Sequence, residues 1–372
     1  MMKKMKRMLS LALVGVMLLA LLTGCSMPKV VIGGTPKYVG TINGEKVATG
    51  EYLAYMYTTF MDVYLSNGLY QYAQYGLDAW SQELTYGTGD AAQKVTVAEY
   101  IHLATRDDMV TQAAMRQLMA KYNLNYDPKD LEELEKSFAS ANEEEFLSMG
   151  ISKESLLNAY KNISLNQSVL LNGLYGKGGA REIAESELKK YFDENYLSYK
   201  IISVSLTDSD GKELSAANKK VYTDLLKGYL EDYNKDQNFE AVVDKYNKYS
   251  AEKDKTTEKV EPTTDKDNRR NGDATDMDEY LVKEIRKLEV GKAAVVEYKS
   301  GGSTPVAALI LRLDPNSDKE LFGNSTESII GKLKSEELQK EITELAATIP
   351  VDLKQSAINK CDPRAFEAML MG

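Results

Sequence analysis

Residues 39–47 read VGTINGEKV. A short β-like run leads into Asn43-Gly44, a pair typical of a tight two-residue turn, and Lys46-Val47 follows on the other side. A helical pattern begins directly afterwards, because apolar side chains recur at helical spacing at Leu53, Met56, Phe60 and Val63. The stretch therefore predicts that the folded part opens at Tyr38 with a strand and a turn that lead into a helix.

The residues before this stretch have the features of an export signal. Four cationic side chains, Lys3, Lys4, Lys6 and Arg7, precede an apolar run over residues 9–22 that contains no charge. The run is shorter than the roughly 20 apolar residues needed to cross a bilayer. Small residues close it, as in a leader that is removed by processing. We therefore expect residues 1–24 to be a signal peptide.

The end of this leader resembles the lipobox of bacterial lipoproteins. Residues 22–25 read LTGC, and in a lipobox the cysteine thiol is acylated and the chain is cut just before it. The resemblance implies that Cys25 carries a lipid that holds the protein at the outer face of the cell membrane, where more than one fatty chain gives stable attachment. Residues 25–37 contain two prolines and paired glycines, which indicates a flexible tether.

Net charge and cysteine content exclude some classes of protein. The chain carries −10 at pH 7, and removal of residues 1–24 takes away four positive charges and no negative one, which leaves −14. Nucleic acid is not an expected partner, because an acidic surface is repelled by phosphate backbones. Only Cys361 remains once Cys25 is acylated. No disulfide framework is expected, so stability has to come from packing.

Helical patterns dominate residues 38–197. Asp127-Pro128 supplies an N-cap and a first-turn proline for one helix. Another helix is expected to begin near Ser152 and to end at the glycine cluster of residues 176–179. We interpret this part of the chain as almost wholly helical after one short strand.

The pattern changes in residues 198–315. Residues 200–206 alternate and are rich in β-branched side chains, and two further strands are expected at 293–298 and 306–313, among helices. Residues 251–276 are charged and nearly devoid of large apolar side chains, so we expect a mobile excursion there.

Residues 316–372 return to a helical pattern and a tail. A single amphipathic helix cannot bury its apolar stripe alone, so its expected partner is the helical region of the amino half. The expected fold class is therefore α+β. A mainly helical domain is formed from both chain ends, and a domain with a small antiparallel sheet plus helices is inserted into it.

The order of these parts resembles that of the PrsA and SurA-type foldases, which are chaperones that often carry a parvulin-type prolyl isomerase domain. Residues 238–246, NFEAVVDKY, with Tyr249-Ser250 are similar to a parvulin segment. Residues 288–292, LEVGK, resemble its leucine-x-x-glycine turn, and residues 308–314, ALILRLD, resemble its closing strand. The resemblance implies a helical chaperone domain over 38–197, a degenerate parvulin-like domain over 198–315, and completion of the chaperone domain by 316–372.

The sequence departs from this family at the catalytic positions. Active parvulins place one histidine in the first strand and another in the last, and here Ser203 and Ala308 take those positions. The only histidine, His102, lies in the helical part. Serine and alanine cannot rebuild the polar groups that relax a prolyl amide, whose rotational barrier is roughly 18–20 kcal/mol. We expect no prolyl isomerase catalysis, and an active isomerase with an atypical site is the alternative.

Binding of unfolded or nascent secreted polypeptides is the activity that would remain. A holdase needs exposed apolar surface of adaptable shape, and rings with one polar edge suit this need. Residues 52–86 are dense in such rings, and ordinary helix packing with solvated hydroxyl groups is the alternative explanation. The candidate client-binding residues are Tyr52, Tyr55, Tyr64, Tyr70, Tyr72 and Trp80.

Other sites and functions are less favoured. No cofactor or metal is expected, because Glu143, Glu144 and Glu145 point different ways on a helix, and the glycine-rich stretches lack the context of a phosphate loop. A substrate-binding lipoprotein of a transporter is a further alternative, but it would need two α/β lobes around a cleft. The sequence leaves the oligomeric state open, a homodimer included.

Overall fold

The computed structural model describes residues 36–138, 143–253 and 268–371. They form two compact units: a helical unit, made of the described residues up to Ile183 and from Ile330 onward, and a sheet unit, Ala184–Ile329. This confirms the predicted fold class, with one unit inserted between two parts of a mainly helical unit. The sheet unit is wider at both ends than the predicted 198–315. The predicted signal peptide, the predicted lipid attachment at Cys25 and most of the predicted tether lie outside the described residues.

The predicted strand, turn and helix are present at the start of the helical unit. Strand β1 (Tyr38–Ile42) pairs antiparallel with β2 (Glu45–Ala48). Asn43 and Gly44 have φ +53° and +76°, as a primed two-residue turn requires. Helix α1 (Thr49–Ser66) follows at once, and the four apolar residues that predicted it are all buried.

Helices and one hairpin complete the first part of this unit. In chain order they are α2 (Leu69–Gln74), β3 (Glu83–Tyr86), β4 (Gln93–Thr96), α3 (Val97–Lys121), α4 (Pro128–Ser137), α5 (Glu143–Ser148) and α6 (Lys153–Tyr175). Asp127 caps α4 and Ser152 caps α6, as predicted. The β3–β4 hairpin contradicts the expectation of a part that is almost wholly helical after one strand. Its strands have four residues each, and their side chains are exposed or half-buried, so the alternation in β3 is too short to distinguish a strand in the sequence.

The sheet unit is built around four antiparallel strands in the order β6-β5-β8-β7. In chain order its elements are α7 (Glu185–Asn195), β5 (Tyr196–Ser205), α8 (Ala216–Asp236), α9 (Phe239–Lys253), β6 (Arg270–Asp273), α10 (Glu279–Lys287), β7 (Ala293–Ser300) and β8 (Thr304–Leu313). Leu226 of α8 and Phe239 of α9 belong to the apolar cluster on one face of the sheet. Ile285 of α10 belongs to the cluster on the other face. Helices therefore cover both faces.

Strand β6 lies in a range that was expected to be a mobile polar excursion, and for residues 270–276 that expectation is wrong. The strand pairs with β5, and Asp273 is fully buried. The Asp273 carboxylate accepts hydrogen bonds from Tyr191 Oη at 2.8 Å and from Thr275 N at 2.9 Å. A polar strand is thus stabilised by pairing and by a satisfied carboxylate rather than by apolar side chains. Residues 254–267 of that range lie outside the described residues.

The last elements join the two ends of the chain. They are α11 (Leu321–Ala346), β9 (Val351–Leu353), α12 (Gln355–Ile358) and α13 (Arg364–Met371). Strand β9 pairs with β1 on the side opposite β2, so residues from both ends share one three-stranded sheet. Gly40 has φ +148°, and a Cβ there would lie 2.2 Å from the oxygen of Asp352, so the close approach of β9 requires glycine. Within the described ranges, no helix is both long and apolar enough to cross a bilayer.

Candidate functional site

The aromatic segment of residues 52–86 divides into a sealed part and an exposed part. Tyr52, Tyr55 and Tyr64 have at most 1% of their surface exposed. The expectation that these three tyrosines line an open surface is therefore wrong. The physical reason is that α1 packs against both α3 and α6 and so has more than the single apolar face that its helical spacing predicted.

Buried partners satisfy the hydroxyl groups of Tyr52 and Tyr55, the two of these tyrosines that lie nearest the start of α1. Tyr52 Oη lies 2.9 Å from His102 Nδ1, and the two rings stack with centroids 6.3 Å apart. Tyr55 Oη accepts a hydrogen bond from Asn162 Nδ2 at 2.8 Å. Burial raises the pKa of both tyrosines, so their hydroxyls stay protonated. These side chains fix helices to one another.

The rings near the end of α1 are covered by α13. The Phe366 ring is fully buried, with its centroid 5.3 Å from that of Tyr57 and 5.6 Å from that of Phe60. The next residue, Glu367, accepts hydrogen bonds from the hydroxyl of Tyr64 and from the indole nitrogen of Trp80. We call the surface formed by Tyr57, Phe60, Tyr64 and Trp80 the aromatic groove.

The exposed part of the segment follows α1 directly. Tyr75 is 83% exposed and Tyr72 of α2 is 42% exposed, whereas Tyr70 and Trp80 are half-buried. Two aliphatic side chains add to this surface, Leu65 at 41% and Leu77 at 52% exposure. We call Leu65, Tyr72, Tyr75 and Leu77 the exposed apolar segment. Among the candidate client-binding residues, Tyr72 is the one that the structure places on an open surface.

In the sheet unit, the two positions that the resemblance singled out lie side by side. Ser203 of β5 and Ala308 of β8 are direct partners in the antiparallel ladder, so their side chains share a face. Ala308 is fully buried and Ser203 is exposed. The paired positions thus hold a hydroxyl group and a methyl group, and neither side chain is an imidazole.

The only histidine and the only described cysteine do not form a nucleophilic site. His102 lies on α3 of the helical unit, and desolvation lowers its pKa. Cys361 is 1% exposed, and burial raises the pKa of its thiol to about 12, which keeps it from forming the reactive thiolate. Across the described ranges, no group of three or more histidine, cysteine, aspartate or glutamate side chains is arranged to hold a metal ion.

A polar cleft of about 400 Å³ in the helical unit was not predicted from the sequence. The Arg116 guanidinium lies 3.9 Å from the carboxylate of Glu45, and burial raises the pKa of Glu51 while Arg116 opposes that shift. The cleft thus carries charges of both signs. Its lining comes from β2, α1, α3 and α6 with no shared motif, and includes Glu45, Glu51, Arg116, Glu154, Asn158 and Lys161.

Comparison with known proteins finds no matching family model and no matching curated protein. The chain is similar to solved structures of PrsA foldases. One, from Lactococcus lactis, is 14% identical with a TM-score of 0.33, covering 90% of this chain and 99% of its own. The PrsA of Streptococcus pneumoniae is 15% identical with a TM-score of 0.33, covering 75% and 100%. A SurA-like chaperone from Campylobacter jejuni is 16% identical with a TM-score of 0.19, covering 85% and 100%. At these identities and scores, the fold rests on the strand pairing and the two units described above.

Proposed function

We propose that this protein is a lipid-anchored chaperone that binds non-native secreted polypeptides outside the cytoplasm and does not catalyse prolyl isomerisation. The charged and apolar leader and the LTGC stretch support export and a lipid on Cys25. The insertion of a sheet unit into a helical unit built from both chain ends is the architecture that the foldase resemblance implies.

The observation that carries the noncatalytic part of the proposal is the pairing of Ser203 with Ala308. In the mechanism that the resemblance implies, polar groups that relax the amide accelerate its rotation, which otherwise has to cross a barrier of roughly 18–20 kcal/mol. The chain has one histidine, and it lies in the other unit beside Tyr52. The sheet unit thus supplies no imidazole where the resemblance requires two.

The exposed apolar segment supports the binding part of the proposal. Tyrosine rings present an apolar body and a polar edge, so they tolerate both water and an unfolded chain. Leu69 of α2 is buried and anchors this short helix, so Tyr72 is displayed on a supported element. The transporter alternative is not favoured, because one of the two units is mainly helical rather than an α/β lobe.

A paired assay on the chain from Ser26, without lipid, tests the proposal. We expect it to suppress the aggregation of reduced insulin while leaving the cis–trans exchange rate of a proline tetrapeptide unchanged. Acceleration of that exchange would favour the isomerase alternative. Failure in both assays would refute the chaperone proposal.

A matched pair of double variants locates the binding surface. Tyr72→Ser with Tyr75→Ser removes two exposed rings of the exposed apolar segment, and we expect it to weaken aggregation suppression by at least about threefold. Val221→Ser with Val290→Ser removes two exposed apolar side chains from the sheet unit, 59% and 53% exposed. This control is expected to act like the wild type. Equal losses in the two variants would show that the exposed apolar segment has no special role.

A further inference from the structure

Helix α13 contacts the aromatic groove in the way that a bound ligand contacts its site. One turn of helix supplies an apolar ring, Phe366, and the carboxylate that directly follows it, Glu367. The ring enters between Tyr57 and Phe60, with centroid distances of 5.3 and 5.6 Å. Each oxygen of the carboxylate accepts from a different aromatic side chain, Oε1 from Tyr64 and Oε2 from Trp80.

The residues of the aromatic groove also contact one another. The Trp80 indole stacks on the Phe60 ring with centroids 6.1 Å apart and an interplanar angle of 7°. The ring centroids of Phe60 and Tyr64 are 4.9 Å apart. Asp78 caps the turn that carries Trp80 by accepting from its main-chain nitrogen at 3.0 Å. The two donors that hold the Glu367 carboxylate are thus positioned by groups of the groove rather than by α13.

Helix α13 is held differently from the elements just before it. Strand β9 is part of the β1 ladder, and Lys354 N, at the start of α12, donates to Val39 O at 2.8 Å. For α13, the described residues show only local main-chain hydrogen bonds, from Ala365 N to Asp362 O and from Phe366 N to Pro363 O. Its attachment therefore depends on side chains.

The first side chain of the helix does not reinforce that attachment. Arg364 is exposed, and its guanidinium bonds Asp362 just before the helix at 2.9 Å. Phe366 and Glu367 are the side chains that reach the aromatic groove in the described part of α13.

We propose that the aromatic groove is a client site and that α13 is an internal ligand that occupies it. The clients it fits are helical segments in which an aromatic residue is followed directly by a carboxylate residue. Because the groove is open only when α13 has left it, the apparent affinity for such a client is reduced by the fraction of molecules that are open. This inference rests on the proposed chaperone function and names the class of client.

Trp80 makes the test direct, because it is the only tryptophan in the chain. A synthetic peptide with the sequence of residues 362–371 is titrated into a variant that lacks residues 364–372, and indole emission is followed. We expect saturable binding, with about tenfold weaker binding when the peptide carries F366A or E367Q. The same variant should bind reduced, alkylated ribonuclease A, a client without tryptophan, about tenfold more tightly than the wild-type chain does.

A second variant covers the case in which the truncated chain does not fold. Glu367→Gln in the full chain removes the charged acceptor and keeps the buried Phe366 ring, so we expect tighter client binding than in the wild type and a change in Trp80 emission. Glu344→Gln is the matched control, because Glu344 is a carboxylate on α11 with 69% of its side chain exposed. Circular dichroism establishes that each variant is folded.

The outcomes separate this inference from the proposal it rests on. Equal client affinity in wild-type, truncated and Glu367→Gln chains, with clients still bound, would overturn the role of α13 alone. Failure of the peptide to bind a folded truncated chain would do the same. If no form binds any client, the chaperone proposal falls, and with it the assignment of the aromatic groove as a client site.

Discussion

The two units of this protein differ in the side chains that could take part in catalysis and in the aromatic side chains that they expose. The sheet unit has packed clusters on both faces of its sheet, yet it holds Ser203 and Ala308 where the resemblance implies imidazoles. The helical unit holds the only histidine in a contact with Tyr52 and exposes rings after α1. The difference teaches that packing and chemistry can change separately. A packed core does not require side chains that could act on an amide.

The largest expected effect is on the free energy of unfolding. It is found when a buried ring and an exposed ring of the same aromatic segment are each replaced by alanine. Phe60 is fully buried and contacts the rings of Tyr64, Trp80 and Phe366. Phe60→Ala should lower the free energy of unfolding by about 3–5 kcal/mol. Tyr75→Ala should change it by less than about 0.5 kcal/mol, because that ring is mostly in solvent. Urea unfolding followed by far-ultraviolet circular dichroism and Trp80 emission measures both, and equal effects would contradict the division of the segment.

A smaller effect on stability is expected in the sheet unit. There a buried carboxylate that accepts hydrogen bonds can be compared with a side-chain amide oxygen for which the structure shows no hydrogen-bond partner. Asp273→Ala leaves the donors Tyr191 and Thr275 without their acceptor and should cost about 2 kcal/mol. Asn271→Ala on the same strand is the control, because its buried side-chain oxygen has no hydrogen-bond partner among the described residues. The rate of amide hydrogen exchange along β5 and β8 measures the stability of the sheet unit. Faster exchange in the Asn271 variant than in the Asp273 variant would reverse the expected order.

The single histidine should give the helical unit a pH dependence of its own. Desolvation lowers the pKa of His102 below its usual 6.5, although Asp362 partly opposes this. The unfolded chain therefore binds this proton more readily than the folded chain. The stability contributed by neutral His102 is complete above pH 6.5 and is lost as the pH falls towards the lowered folded-state pKa.

His102→Asn isolates that contribution. The wild type is expected to lose more stability than the variant between pH 7 and pH 5, as measured by urea unfolding with Trp80 emission. A variant that loses as much stability as the wild type would show that His102 takes up its proton at the same pH in the folded and the unfolded chain.

The last variant, at Ser203, is expected to leave the rate of prolyl cis–trans exchange unchanged. Ser203→Ala removes the one polar side chain at the paired positions of β5 and β8. We expect the exchange rate of a proline peptide to equal the uncatalysed rate with both the wild type and the variant. A rate that is accelerated by the wild type and lost in the variant would restore Ser203 as a functional group and break the contrast between the units.

Local signals in the sequence predicted much of the fold. Asn43-Gly44 predicted the first turn, Asp127 and Ser152 predicted two helix starts, and the structure confirms each of them. These features depend on a few neighbouring residues. Strands β6 and β9 were missed, because short and polar strands are stabilised by pairing with residues distant in the chain, such as Gly40 with Leu353.

The candidate site was harder to predict for a related reason. Helical spacing assigned one packing face to α1 and left Tyr52, Tyr55 and Tyr64 off it, but this helix has neighbours on several sides. The placement of Phe366 between Tyr57 and Phe60 joins segments that no local pattern connects. The exposed rings Tyr72 and Tyr75 lie on and just after α2, a helix of six residues that is too short to show a helical period of apolar side chains.

Hydrogen–deuterium exchange of the chain from Ser26, with and without an unfolded client, tests the central claim most directly. If clients bind at the exposed apolar segment and displace α13, exchange becomes slower over residues 65–80, becomes faster in α13, and does not change at the paired positions of β5 and β8. Slower exchange around Ser203 and Ala308, with residues 65–80 and α13 unchanged, would place client binding in the sheet unit and contradict the account.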